Sequence, residues 1–191
     1  GRIEGTDFNT AVFTNLSRDH LDYHKNFDDY ISAKFSLFEK EGLQNAVINI
    51  GDSYGARLIE KLPTDINVFA YSVNKSNLKF YKREKISFIF CENIEVESFT
   101  KKIIRVQSPW GRVTIKVNLI GEFNIENILA AFTVLSLNDM PIEKIATVLS
   151  SFTGLPGRME VFSSVSKPLI VVDYAHTPDA LKKALTSLKP Y

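Results

Sequence analysis

A short apolar run, Ala11-Val-Phe-Thr14, passes straight into the polar stretch Asn15-Leu-Ser-Arg-Asp-His-Leu-Asp-Tyr-His24, and the pattern turns helical over Tyr30-Ile-Ser-Ala-Lys-Phe-Ser-Leu-Phe38. This succession of strand, polar loop and amphipathic helix is the unit of an α/β sheet, and such sheets present their ligand-binding groups at the carboxyl ends of the strands. In the helix, Ile31, Phe35 and Phe38 fall at i, i+4 and i+7, while Tyr30, Lys34, Leu37 and Phe38 fall at i, i+4, i+7 and i+8. Lys34 therefore sits in or beside the apolar stripe, where a lysine must snorkel, pair or be chemically altered.

The alternation continues. Ala46-Val-Ile-Asn-Ile50 is a short buried-strand candidate, residues 51–55 a turn, and residues 56–62 a helix stopped by Pro63. Over residues 67–119 the character changes to four β-like runs, Val68-Phe-Ala-Tyr71, Ile86-Ser-Phe-Ile-Phe90, Ile103-Ile-Arg-Val106 and Val113-Thr-Ile-Lys-Val117, with Ser108-Pro-Trp-Gly111 as a hairpin turn. This segment is expected to form a small, largely antiparallel sheet. Helices are expected over residues 124–137 and from Pro141 to about residue 152. Thr153-Gly-Leu-Pro-Gly-Arg158 has the composition of a hinge, after which Leu169-Ile-Val-Val-Asp173 reads as a buried strand and Thr177-Pro-Asp starts a capped helix.

The fold expected is α/β: a mostly parallel central sheet flanked by helices, with a small antiparallel subsheet and the start of a second Rossmann-like domain. Residues 1–153 belong to the first domain, 154–158 to the hinge and 159–191 to the second. With 45% apolar and 24% charged residues, the chain can build a packed core, and a net charge of +1 from scattered basic residues lacks the footprint of a nucleic-acid binder. Its longest apolar runs are strand-sized, too short to span a bilayer. One cysteine, Cys91, excludes an internal disulfide and fits a reducing cytosol. Gly1 and Tyr191 both read as cuts within a longer protein.

Several residues could carry chemistry. His20, beside Asp19 in the loop after the first strand, could ligate Mg²⁺ or simply bond a backbone carbonyl, and His24 is a weaker candidate. Lys34 is a better lead, because an ammonium beside apolar surface favours its neutral form, which reacts with electrophiles such as CO₂; a snorkelling stem is the plain alternative. Asn124 reads as a helix N-cap, whereas Asn127, inside the first turn, can offer donor and acceptor together to a heterocycle edge. Arg158 could bridge phosphates across a cleft. Asp173 could accept from a ribose hydroxyl or cap the strand end, and His176 stands beside the N-terminus of a helix, where phosphates bind.

The runs Thr14-Asn-Leu-Ser-Arg-Asp-His-Leu-Asp-Tyr-His24, Ala33-Lys34, Gly121-Glu-Phe-Asn-Ile-Glu-Asn127, Leu155-Pro-Gly-Arg-Met-Glu160 and Asp173-Tyr-Ala-His-Thr-Pro-Asp-Ala-Leu181 together resemble the bacterial Mur ligase family, in particular its branch adding the third amino acid in peptidoglycan synthesis. The resemblance implies an ATP-dependent amide ligase that activates a carboxylate of UDP-N-acetylmuramoyl-L-alanyl-D-glutamate as an acyl phosphate, which the amine of meso-diaminopimelate or L-lysine attacks. It implies that His20 and a carbamylated Lys34 hold Mg²⁺, that Asn124 and Asn127 meet adenine, Arg158 the ribose and phosphates, Asp173 the ribose and His176 the phosphates. Arg2 resembles the arginine that contacts the muramoyl-dipeptide. A cytoplasmic bacterial monomer is expected, with neither nucleic acid nor membrane as partner. The family's phosphate loop and its arginine-bearing specificity motif do not occur in these residues, so the fragment alone is expected to be inactive. A folylpolyglutamate synthetase-like ligase and a non-catalytic nucleotide-binding scaffold stand as alternatives.

Overall fold

The computed structural model describes residues 5–17, 26–80, 85–164 and 166–189. Six strands form one sheet whose spatial order is their order in the chain: β1 (Thr10–Phe13), β2 (Asn45–Asn49), β3 (Asn67–Ser72), β4 (Ile86–Val96), β5 (Lys102–Ser108) and β6 (Gly111–Val117). β1 to β4 run parallel, and β4 to β6 are antiparallel.

The antiparallel part expected over residues 67–119 is thus present but continuous with the main sheet, and the runs 68–71 and 86–90 pair in parallel instead. β4 makes both arrangements possible. It pairs with β3 up to Phe90, shifts register between Cys91 and Asn93, and continues against β5 to Val96. Its length was not visible from hydrophobicity because polar Glu92, Asn93 and Glu95 interrupt the apolar pattern.

Helices α1 (Phe27–Phe35) and α2 (Ser53–Lys61) cover one face of β1–β3, α3 (Glu122–Leu137) covers the other face over β2–β4, and α4 (Ile142–Ser151) packs against β6. The period of two divides the strand residues between these layers: Ala46, Ile48, Val68 and Ala70 join α1 and α2, while Val47 and Tyr71 join α3. Burial on both faces explains why these strands read as continuous apolar runs. Trp110, at the β5–β6 turn, stacks on Phe69 at 5.6 Å and meets the edge of fully buried Phe132, so the hairpin is tied to α3.

The second unit holds β7 (Glu160–Phe162) antiparallel to β8 (Ile170–Val172), then α5 (Pro178–Leu188), capped by the Thr177 hydroxyl on Ala180 N–H. Met159 and Ala184, with Val161, Val171, Ala175 and Leu188, pack on Ile120, Phe123 and Phe99 of the first unit. The expectation of a buried strand at residues 169–173 is corrected: Val171 points into this cluster, but Ile170 and Val172 are 57% and 43% exposed. A run of four apolar residues hid an ordinary one-in, one-out strand of a two-stranded sheet.

Candidate nucleotide-binding site

The loop after β1 is fixed by side chains from four other elements. Tyr71, in β3, donates its hydroxyl to Phe13 O at 3.4 Å, and Asn49, at the end of β2, donates Nδ2 to Thr14 O at 2.8 Å. Lys34, in the last turn of α1, donates Nζ to Asn15 O at 3.3 Å. Asp52, the N-cap of α2, accepts Leu16 N–H at 3.0 Å on one oxygen and Tyr54 N–H at 2.8 Å on the other. Lys34 is half-buried with its Nζ 5.2 Å from the Tyr30 ring centre, the margin position that its spacing indicated. Sequence reasoning missed Asn49 and Asp52. Asp52 was legible as a helix cap; Asn49, at the end of an apolar run, carried no signal of its own.

Beside this loop lies a cavity of about 730 Å³, the size of a small-molecule site, between the start of α3, the end of α4, the turn at residues 154–158 and α5. Its walls are largely apolar, with Leu119, Phe123, Ile128 and Leu149 among them, and its polar lining includes Asn124, Asn127, Arg158 and Asp173. A neighbouring cavity of about 580 Å³ shares Asn15, Ser17 and Phe123 and adds Asp52, Glu122 and Glu126 opposite Lys182 and Lys183 of α5. In it, burial pushes the Glu126 carboxyl above its ordinary range; a hydrogen bond from Asn49 and the charge of Lys183 oppose the shift, and Glu122 and Asp52 add to it.

Four residues expected from sequence therefore line one cavity, and Lys34 reaches it through Asn15. Asn124 is corrected in detail. The N-cap of α3 is Gly121, at φ 89°, while Asn124 lies in the first turn and donates Nδ2 to Ile120 O at 2.8 Å. Only a glycine adopts that corner without strain, so the helix starts earlier than a search for Asn, Asp, Ser or Thr caps suggests. Asn127 Nδ2 then donates to Asn124 Oδ1 at 3.3 Å, which pairs the two amides.

Asp173 takes the alternative role weighed for it. Its oxygens accept Met159 N–H at 2.9 Å and Ala175 N–H at 2.8 Å, capping the strand end while it lines the cavity. Arg158 ends a tight turn in which its N–H bonds Leu155 O and Gly157 has φ 68°, the positive value that a type II turn requires at its third position. Its guanidinium lies 4.5 Å from the ring centre of Tyr174. His176 does not line the cavity; its Nδ1 is 3.0 Å from Tyr174 O and its ring meets Tyr174 edge-on. Arg2, His20 and His24 lie outside the described residues.

Among the described residues no three His, Cys, Asp or Glu side chains gather as a metal site. Cys91 is buried, and that burial, assisted by the charge of Glu122, pushes its thiol up to about 12 and disfavours the thiolate. No helix among the described residues is long and apolar enough to cross a membrane.

Residues 1–135 match the Mur ligase middle domain, and residues 157–191 match the Mur ligase glutamate ligase domain. The chain belongs to the Mur ligase family. Across all of its length it is 42% identical to the UDP-N-acetylmuramoyl-L-alanyl-D-glutamate--2,6-diaminopimelate ligase of Coxiella burnetii, and over 98% of its length 38% identical to the enzyme of the same name from Neisseria meningitidis serogroup B. A solved structure of a ligase of that name superposes on 99% of the chain with a TM-score of 0.75 and 33% identity. The chain spans 38% of the Coxiella relative's length and 37% of each of the other two, so it corresponds to a part of those molecules. The sequence motifs that resemble the family are thus joined by agreement over the whole chain.

Proposed function

We propose that this chain is part of an ATP-dependent ligase that adds 2,6-diaminopimelate to UDP-N-acetylmuramoyl-L-alanyl-D-glutamate in the bacterial cytoplasm. The observation that carries this reading is the cavity in which paired amides, Asn124 and Asn127, stand over apolar walls beside Arg158, within a chain whose relatives carry that ligase name. The expected domain division, with residues 154–158 as the hinge between 1–153 and 159–191, is part of the same proposal.

The residues present fit a nucleotide. Apolar walls accept a flat base, and two amides offer the donor and acceptor that its edge needs. Arg158, a planar cation, suits ribose and phosphate oxygens, and Asp173, although it caps a strand end, keeps lone pairs for a ribose hydroxyl. His176 stands one residue before the N-cap of α5, near N–H groups suited to an anion. Arg2 would contact the muramoyl-dipeptide.

A hard cation needs oxygen donors. Lys34 supplies them only as a carbamate, with His20 as its companion ligand; that donor set fits Mg²⁺, which would neutralise phosphate charge and polarise the acceptor carboxylate. The chain's own contribution is to orient these groups. Asn49 and Asp52 hold the loop from which His20 follows, and Tyr71 anchors its start.

The test is amine-dependent phosphate release by the full-length protein with ATP, Mg²⁺ and UDP-N-acetylmuramoyl-L-alanyl-D-glutamate. Turnover with meso-diaminopimelate far above that with L-lysine is the expected result; turnover with L-lysine alone overturns the substrate, and none with either overturns the reaction.

A further inference from the structure

Three consecutive peptide groups after β1 are each gripped by a different side chain. Tyr71 holds the oxygen of the group joining residues 13 and 14, Asn49 that of the group joining 14 and 15, and Asp52 the N–H of the group joining 15 and 16. The last has a second partner. Its oxygen, Asn15 O, receives Lys34 Nζ at 3.3 Å, so Asp52 and Lys34 bind opposite ends of one planar unit.

We infer that Asp52, supported by Asn49, is a positioning residue that orients the side chain of Lys34 through the peptide group joining Asn15 and Leu16. The inference rests on the carbamylation of Lys34 proposed above. A peptide group cannot bend between its N–H and its C=O, so fixing Leu16 N–H on a carboxylate fixes the direction in which Asn15 O points. Hydrogen bonds in series also polarise one another, and a carboxylate at the N–H end strengthens the acceptor at the other. Asn49 is 1% exposed and also accepts Gly51 N–H at 2.8 Å, which leaves it little freedom to release the neighbouring peptide.

The chemistry at Lys34 uses this acceptor. When the neutral amine attacks CO₂, the new N–C bond forms, a carbon–oxygen π pair moves onto oxygen, and one N–H proton leaves to solvent. The carbamate keeps a single N–H. Held on Asn15 O, that N–H fixes the plane of the carbamate and the direction of its two oxygens. Without the grip of Asp52 the acceptor is held only through the neighbouring peptide group on Asn49, and the carbamate loses both orientation and occupancy.

The experiment uses the full-length protein and ¹³C-labelled bicarbonate, with the carbamate followed by ¹³C NMR and ligation measured in parallel. Asp52→Ser keeps a cap for α2, because serine serves that position well, but is too short to hold Leu16 N–H as well. The parent is expected to show a carbamate signal that Lys34→Ala abolishes. Asp52→Ser is expected to need roughly tenfold more bicarbonate for half occupancy, the effect of losing about one hydrogen bond, and its activity is expected to recover as bicarbonate rises. A bicarbonate titration identical to the parent's overturns the positioning role and leaves the Lys34 reading intact. Absence of any Lys34-dependent carbamate in the parent overturns both. Should Asp52→Ser fail to fold, Asn49→Ala, which frees the adjacent peptide group and spares the α2 cap, is read by the same titration.

Discussion

The carboxylate of Asp173 reaches back fourteen residues to accept the N–H of Met159 at 2.9 Å, and Met159 is a buried residue held at φ 48°. A left-handed conformation is uncommon for a side chain of this size and persists only where neighbours enforce it. Here the enforcing group follows β8, so the turn at residues 154–158 is clasped to the segment between β8 and α5. Asp173→Ala is expected to lower the unfolding free energy of the full-length protein by about 1–2 kcal/mol, with Asp173→Asn retaining about half of the loss, as denaturant titration would show. An unchanged midpoint for Asp173→Ala would remove the clasp.

Lys34→Ala is expected to reduce ligation by the full-length protein by at least about a hundredfold, because the proposed carbamate would supply oxygen donors to Mg²⁺. Formate or acetate should restore part of the rate, and Lys34→Arg, which cannot form a carbamate, should stay inactive. Steady-state rates with and without 50 mM-scale added formate, about the level needed for a weak ligand, decide between this role and a plain snorkelling lysine.

Asn127→Ala is expected to weaken a non-hydrolysable ATP analogue by roughly five- to tenfold, the value of about one net hydrogen bond, while affinity for the UDP-linked substrate stays unchanged. Calorimetric titration of each ligand measures this. Equal losses for both would show that the Asn124–Asn127 pair supports α3 and not the base.

Glu126 makes a pH prediction. Its folded-state pKa is raised, chiefly by burial, so between the unfolded value and the folded one the native state binds more protons than the unfolded chain. Stability therefore falls as pH rises through that window, and below it the group costs nothing. Glu126→Gln should stabilise the protein at neutral pH and flatten the pH dependence just above the ordinary carboxylate range. Chemical denaturation of parent and variant at a series of pH values tests the sign.

Much of this architecture was legible because local pattern and tertiary role agree. β1, β2, α2 and α5 announce themselves through apolar periodicity and through Pro63, Thr177 and Pro178, which obey the same rules in a peptide as in a fold. β4 was read short because it changes partners midway, and pairing is not encoded in hydrophobicity. The cavity-lining residues were found as motifs, yet their mutual contacts, such as Asn127 with Asn124, needed coordinates. Asn49 and Asp52 escaped for a related reason: their importance lies in bonds made 35 and 36 residues away.

A sheet in which every strand neighbours its predecessor has a consequence for how the protein comes into being. Each strand can dock on the one synthesised just before it, so the six-stranded sheet can grow in the order in which the chain leaves the ribosome, through long crossovers between the parallel strands and tighter connections from β4 to β6. Among the described residues α3 reaches back over β2, β3 and β4, and it also carries Asn124 and Asn127. The cavity between α3, α4, the turn at residues 154–158 and α5 can therefore close only once the sheet beneath α3 is in place.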